Sequence, residues 1–168
     1  MPGVEGVGVA MAADPFETAI VGILKAEGGY SQNIDDPGGE TNYGISKRSY
    51  PDVDIKGLTE AGAKAIYRRD WWEKYGYGQL PGPIGMLLFS LSVNMGPTTA
   101  HGLLARALSD LRLPVQGDGT FGPVTIKSAQ DYRYPDVVVG LLRGGAIERY
   151  RRLGKPMFLA GWVRRAMA

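Results

Sequence analysis

The chain has 168 residues, of which 44% are hydrophobic, and a net charge of +2, which suits one domain with a real core. It has no cysteine and one histidine, so disulfides and thiolate metal sites are excluded and a zinc hydrolase is not expected. No apolar run reaches the roughly 18 residues that a transmembrane helix needs. We expect neither a metal nor an organic cofactor.

The charge is unevenly distributed along the chain. Residues 1–132 carry 11 basic and 15 acidic side chains, whereas residues 133–168 carry 8 basic and 2 acidic ones. A basic end beside a mildly acidic body favours an anionic partner for that end. A solvated helix face would give the same pattern, and both readings stay open.

Residues 1–13 read as a flexible tail, and they lack the basic region and long apolar stretch of a secretory signal. A helix is predicted next, because Asp14 can cap its start and proline suits its first turn. Gly28-Gly29 is expected to end it. Its apolar residues share one stripe with a single acid: Phe16, Ile20, Ile23, Leu24 and Glu27.

The position of Glu27 suggests acid catalysis. A carboxyl group beside apolar side chains is poorly solvated, which favours its neutral form. A carboxylic acid that keeps its proton near neutral pH can donate it to a leaving group. The alternative is a structural glutamate that caps a helix or pairs with an arginine.

The loop after this helix supplies a second acid. It runs through Asp35 and Asp36 to Pro37-Gly38-Gly39, which permits a tight reversal, and then to the strand-like segment TNYGI. A small hairpin beside the helix end would bring one of the aspartates opposite Glu27. Glycoside hydrolases typically use two carboxyl groups that face each other across a groove. Either aspartate could instead serve only to form the turn.

These motifs resemble glycoside hydrolase family 108, the N-acetylmuramidases of phage endolysins and bacterial lysozyme-like proteins. Glu27-Gly28-Gly29-Tyr30 is similar to the family's E-G-G-Y signature, and DPGGETNYGI at 36–45 is similar to its continuation. Residues 63–72 and 88–100 are similar to its next two helices. The chain departs from the family pattern at Ala26, Ser90 and Ala105, where histidine, aspartate and glutamine are common.

The resemblance implies a mainly α, lysozyme-like helical fold with a small β-hairpin beside the catalytic helix. It implies hydrolysis of the β-1,4 bond between N-acetylmuramic acid and N-acetylglucosamine, with Glu27 as the acid. In another family of phage lysozymes, eight residues separate the catalytic glutamate from an aspartate, as they separate Glu27 from Asp36. Asp36 is therefore favoured over Asp35 as the second carboxylate. The groove is expected to include Tyr30, Asp35, Thr41, Tyr43 and Asn94.

Asn94 could simply cap a helix that ends at Gly96, whereas the resemblance suggests that its amide holds an N-acetyl group or a water. His101 is expected on a helix surface, without a catalytic role. The segment from 113 resembles small peptidoglycan-binding modules in its D-G-x-x-G-P-x-T pattern, which begins at Asp118. We therefore expect a catalytic region at 14–112 and a helical, basic, peptidoglycan-binding-like region at 113–168 that packs on it.

The basic end is predicted to bind the anionic bacterial envelope through Arg151, Arg152, Arg164 and Arg165, because arginine suits phosphate. The expected partner of the whole protein is peptidoglycan, with no nucleic acid, and the protein is expected to be a monomer. The lack of a recognisable signal predicts accumulation in the bacterial cytoplasm until a separate pore releases the enzyme to the periplasm and cell wall. A lytic transglycosylase and a non-catalytic wall-binding protein are the alternatives.

Overall fold

Helices dominate the structure. The computed structural model describes residues 14–32, 39–116 and 121–154, together with four isolated positions, Ala160, Gly161, Val163 and Met167. The helices within these ranges are α1 (Pro15–Glu27), α2 (Glu60–Tyr67), α3 (Gly82–Met95), α4 (Pro97–Asp110), α5 (Pro123–Asp131) and α6 (Pro135–Arg152), and the strands are β1 (Ser31–Gln32), β2 (Glu40–Asn42) and β3 (Ile45–Ser46). A π-helical turn, Arg68–Glu73, extends α2, and a 3₁₀ turn, Tyr77–Gln79, precedes α3. No helix of the described ranges is long and apolar enough to cross a membrane.

Both ends of α1 lie where the sequence predicts them. The Asp14 carboxylate accepts a hydrogen bond from the backbone N–H of Phe16 at 2.9 Å, which satisfies one of the free donors at the helix start. At the other end Gly28 has a φ of 74°, a left-handed conformation that glycine adopts without steric cost. The helix therefore ends at Glu27, and Gly28 follows it as the cap.

The strands form one antiparallel sheet in the order β1-β2-β3. Asn42 pairs with Ile45, so only Tyr43 and Gly44 join β2 to β3. Their φ values are 51° and 76°, and two successive left-handed residues are typical of the type I′ turn that suits the twist of a hairpin. The small hairpin predicted from the sequence corresponds to the antiparallel pair β1 and β2, which flank residues 33–38. The segment TNYGI, predicted as one strand, is instead divided by the turn at Tyr43 and Gly44, which adds β3 as a third strand.

The core is built around α3, which packs against α1, α4 and α6. Its buried residues point in nearly every direction, as expected of a helix surrounded by others. Phe89 of α3 is fully buried among aromatic rings, with Trp72 at 5.5 Å edge-to-face and Phe16 at 5.9 Å between ring centroids. This aromatic centre fixes α1 and the end of α2 against α3.

The π-helical turn changes which residues of the α2 extension face the core. Tyr67 and Trp72 are both buried although they are five positions apart, and in a regular α-helix they would point in clearly different directions. The wider i→i+5 turn brings both toward the core. Asp70 and Trp71, between them, are half-buried on the opposite side, where they line a pocket described below.

The C-terminal helix α6 packs on α3 and α4. It buries Val138, Leu142, Ala146 and Tyr150 in the same hydrophobic cluster that contains the α1 and α3 side chains. The boundary between regions 14–112 and 113–168 stays a prediction.

The expectation that His101 lies on a helix surface is wrong. Its side chain is 9% exposed, its Nε2 lies 2.9 Å from the Tyr77 hydroxyl, and its ring stacks on Phe121 at 4.7 Å. The cause is that α4 is covered by α3 and by the segment that carries Phe121. The spacing of His101, Leu104 and Leu108 already placed the histidine on the apolar stripe of α4.

Burial of His101 gives a testable pH dependence. Its pKa is lowered from 6.5 to about 4 because burial disfavours the charged ring. Between these pH values the unfolded chain binds a proton that the folded chain does not. The free energy of unfolding should therefore fall by up to about 3 kcal/mol as the pH drops through this window, and this contribution should be constant above it.

The check is urea unfolding of the native protein and of His101→Phe at several pH values. The variant should lose this part of the pH dependence while retaining the part that comes from carboxylates. Identical slopes for the two proteins would contradict the assignment.

Candidate active site

Glu27 lies at the junction of two pockets. On one side is a groove of about 280 Å³ between α1, α3 and α6, mostly apolar and called the apolar groove below. On the other is a pocket of about 350 Å³ between the hairpin and the α2 extension, called the aromatic pocket. Glu27 and Val93 line both. A linear substrate that occupied both pockets would therefore pass directly over the Glu27 carboxyl group.

The hairpin turn lies against the Glu27 side chain. A Cβ atom at Gly44 would be 2.8 Å from Cγ of Glu27 and 2.5 Å from the Tyr67 hydroxyl oxygen. That hydroxyl donates a hydrogen bond to the backbone carbonyl of Tyr43 at 3.1 Å. The turn is thus held between Glu27 and Tyr67, and only a glycine leaves room for the contact.

The Glu27 carboxylate is close enough to Tyr67 to affect the pKa of that phenol. The pKa of Tyr67 is raised, first by burial and then by the negative charge of Glu27. The phenol therefore stays protonated at any physiological pH. Its one O–H proton is donated to the Tyr43 carbonyl, so the hydroxyl does not act as a competing base beside the carboxyl group.

The aromatic pocket contains a second, permanently ionised acid. Asp70 accepts hydrogen bonds from Arg69 at 2.6 and 2.7 Å. These bonds, and next a bond from the Tyr50 hydroxyl, lower the pKa of Asp70 against the opposing effect of burial. Trp71 and Tyr75 add two aromatic rings whose centroids are 6.4 Å apart. The pocket offers apolar ring faces together with a fixed hydrogen-bond acceptor.

The apolar groove contains few polar groups. Asn94 lines it from the last turn of α3, and its amide nitrogen donates to the Tyr150 hydroxyl of α6 at 2.6 Å. The bond fixes the direction of the amide, so its oxygen is the atom left for other donors. Ser90 and Arg143 also line the groove, the latter from α6. Arg143 and Glu27 are its two ionisable residues among the described ones.

The structure unites some of the predicted site residues. Glu27 and Asn94 share the apolar groove, whereas Tyr30, Thr41 and Tyr43 are outside the lining of both pockets within the described chain. The Tyr30 hydroxyl instead contacts Glu40 at 3.2 Å. The roles of these three residues stay predictions.

Two further groups of predicted residues were the aspartates and the arginines. Asp35, Asp36, Arg164 and Arg165 lie outside the described residues. Arg151 and Arg152 lie in the last turn of α6.

Sequence reasoning missed Arg143 and the residues of the aromatic pocket. The segment RRDWW at 68–72 carried a signal, because three consecutive charged residues are followed directly by two tryptophans, a pattern that no single apolar stripe explains. Arg143 had no such signal, since its place depends on how α6 packs. Among the residues that the structure describes, no three acidic or histidine side chains form a cluster that could hold a metal ion.

Comparison with known proteins agrees with this geometry. Residues 20–96 match the family model described as Glycosyl hydrolase 108, a segment that contains Glu27, the sheet, the π-helical turn and Asn94. A solved structure of Brucella abortus SagA is similar to this chain with a TM-score of 0.68 and 24% sequence identity, and the alignment covers 93% of this chain and 95% of that one. No curated protein matches the sequence significantly.

These matches confirm two predictions made from the sequence. The resemblance to glycoside hydrolase family 108 is confirmed over residues 20–96. The fold is mainly helical and lysozyme-like, with a small antiparallel sheet. The family match supports a glycoside hydrolase.

The turn against Glu27 yields a prediction. Gly44→Ala should lower the free energy of unfolding by about 1–3 kcal/mol, because alanine is strained at a φ of 76° and its methyl group would collide with Glu27 and Tyr67. Activity per folded molecule should also fall, since the collision displaces Glu27. Denaturant unfolding and wall-clearing assays on the same samples measure both effects.

The matched control is Gly140→Ala, because a Cβ at this helical position of α6 meets nothing within 4 Å. That variant should be as stable as the native protein or slightly more so. If Gly44→Ala behaved like Gly140→Ala in both assays, the contact would be unimportant.

Proposed function

We propose that this protein, a glycoside hydrolase by its match to family 108, is an endolysin-type N-acetylmuramidase. It would hydrolyse the β-1,4 bond between N-acetylmuramic acid and N-acetylglucosamine in peptidoglycan and so lyse bacterial cells. The observation that carries the proposal is the place of Glu27, half-buried where two pockets meet. An acid that acts on a bond within a chain needs room for a sugar on each side of it.

In this proposal Glu27 protonates the glycosidic oxygen as the bond breaks. Its surroundings support that role, because Glu27 is half-buried and lines the pockets together with Val93 and Tyr67. The neighbouring Tyr67 hydroxyl is kept protonated and bonded to the hairpin backbone, so it holds the turn in place without taking the proton. General acid–base catalysis of this kind contributes roughly 100- to 10,000-fold in rate.

We further propose Asp36 as the second carboxylate, which would orient a water or stabilise the positive charge that develops on the sugar. The support is its spacing from Glu27 in the sequence and its position between β1 and β2, since the turn that follows β2 lies against Glu27. In an inverting enzyme the two carboxyl groups would be about 6.5–9.5 Å apart, and in a retaining one about 5–5.5 Å.

The first test replaces the acid. Glu27→Gln should fold normally and lose nearly all activity on purified cell walls, because the amide keeps the shape and cannot donate the proton. Glu73→Gln, an exposed change outside both pockets, is the control and should be fully active.

Mass spectrometry of the products adds a second criterion. Reducing muramic acid ends would indicate hydrolysis, whereas anhydro ends would indicate a lytic transglycosylase. Near-native turnover by folded Glu27→Gln would remove this residue from the proposed role.

The second test compares the two adjacent aspartates. Asp36→Asn should reduce activity far more than Asp35→Asn, because only Asp36 has the proposed chemical role. Initial rates on the same cell-wall preparation, with circular dichroism to check folding, are the measurement. Equal tolerance of both changes would show that neither aspartate serves as the base.

We also propose that the basic end draws the enzyme to phosphate groups of the envelope. The support is a basic groove of about 320 Å³ between the start of α4 and the end of α6. Arg106, Arg149 and Arg152 line it, with Glu148 as its one acid. Glu148 pairs with Arg106 at 3.8 Å and with Arg152, so the groove retains an excess of positive charge. Arg151, Arg164 and Arg165 would add to the attraction.

The third test neutralises this groove. A variant with Arg106, Arg149 and Arg152 changed to glutamine should bind vesicles of anionic phospholipid more weakly and with less dependence on salt, since such attraction is screened over about 8 Å at physiological ionic strength. A variant with exposed Arg48, Arg112 and Arg133 changed to glutamine removes the same charge elsewhere and is the control. If both variants lost binding equally, net charge alone and not the groove would be responsible.

A further inference from the structure

The apolar groove and the aromatic pocket differ in chemistry on the two sides of Glu27. In the apolar groove, apolar side chains such as Met86 and Val139 line the walls together with Arg143. In the aromatic pocket, Trp71 and Tyr75 offer ring faces and Asp70 offers an ionised acceptor. The protein therefore presents unlike surfaces to the two sugars that a bound glycan would place there.

The two sugars of peptidoglycan differ in one group. N-acetylmuramic acid carries a lactyl ether, which adds a methyl group and a carboxyl group that is either free or amide-linked to the stem peptide. N-acetylglucosamine has a hydroxyl there and is neutral. The lactyl group thus needs a small apolar surface next to a donor for its carboxyl or amide oxygens.

The apolar groove supplies both. Val139 and Arg143 are four residues apart on α6, so they share a face of that helix. An arginine can donate two parallel hydrogen bonds to the oxygens of a carboxylate, which makes its contacts stronger and more directional than those of a lysine. Arg143 is half-buried, so such a bond would be partly shielded from water.

The aromatic pocket suits the neutral sugar. A pyranose ring has an apolar face of C–H groups, which can lie on an aromatic ring such as Trp71, and hydroxyls that can donate to Asp70. The Asp70 carboxylate is bound to Arg69 and shares the pocket with Lys74, so its charge is balanced by these cations. The preference of this pocket for the neutral sugar therefore rests on its ring faces and on its hydroxyl acceptor.

We propose that Arg143 is the specificity residue that binds the lactyl carboxyl or amide oxygens of N-acetylmuramic acid, which places this sugar in the apolar groove and N-acetylglucosamine in the aromatic pocket. The inference rests on the proposed muramidase function and names the sugar on each side of Glu27. Because the bond that is cut follows the anomeric carbon of the muramic sugar, the apolar groove holds the part that becomes the new reducing end.

The test uses two substrates that differ only at this group. One is peptide-free glycan with its lactyl carboxyl intact, and the other is the same glycan with that carboxyl reduced to an alcohol. The native protein should prefer the first by roughly 10- to 100-fold in kcat/KM, as expected for a charge-assisted hydrogen bond. Arg143→Gln should lower that preference to near unity, mostly through KM, and Arg143→Lys should restore part of it.

Two controls separate this role from others. Lys74→Gln removes the cation of the aromatic pocket and should leave the preference intact, whatever it does to the rate. Arg133→Gln, on the exposed surface, should change neither the substrate preference nor the rate.

The possible outcomes are distinct. Because the preference is a ratio within one protein sample, partial misfolding does not change it. A native protein without preference, or an Arg143→Gln variant that retains it, would overturn the inference while the muramidase function stood. Failure of the native protein to cut either glycan would instead overturn the proposed function.

Discussion

The structure of the site depends on one contact, in which the backbone of the hairpin turn rests on the side chain of Glu27. There is no space for a Cβ atom at Gly44 between Glu27 and Tyr67. The contact fixes the last residue of α1 relative to the sheet, and the sheet in turn carries the loop with the proposed second carboxylate. An acid at a helix end would otherwise be free to turn into solvent. Here its rotation is limited by a neighbouring backbone, which is less adaptable than a side chain.

The rest of the fold holds the elements on the two sides of the cleft in place. Arg68 joins the start of α1 to the end of α2 through Asp14 at 2.7 Å and Glu17 at 2.9 Å, so the wall that carries Trp71 is tied to the helix that carries Glu27. These ion pairs are largely exposed and contribute modestly to stability. The greater contribution comes from the aromatic centre around Phe89, which buries one side of each element. The cleft is therefore a gap between elements that are packed together elsewhere.

Much of this arrangement could be predicted from local sequence. The stripe that ends in Glu27 and the glycine that follows it determine where the acid lies, and both are contained in a few turns of helix. Arg143 could not be found this way, because its place in the groove follows from the packing of α6 on α3. The bond between Asn94 and Tyr150 likewise joins residues 56 positions apart. His101 is a different case, because the sequence did contain the necessary information. Its spacing from Leu104 and Leu108 indicated a buried position, whereas its polar side chain led to the wrong prediction of a surface position.

The adjacent tryptophans of the π-helical turn give the protein an intrinsic optical reporter. Trp72 is buried in the aromatic centre, where its emission reports on the integrity of the core. Trp71 lines the pocket beside Glu27, where an arriving sugar would displace water from its ring and shift its emission to shorter wavelength. A single helical turn thus places one fluorophore in the interior and the next in the cleft. The chain has a third tryptophan, Trp162, which would be replaced by phenylalanine in both reporter variants. A further Trp72→Phe change leaves Trp71 to report occupancy, and a further Trp71→Phe change leaves Trp72 to report unfolding.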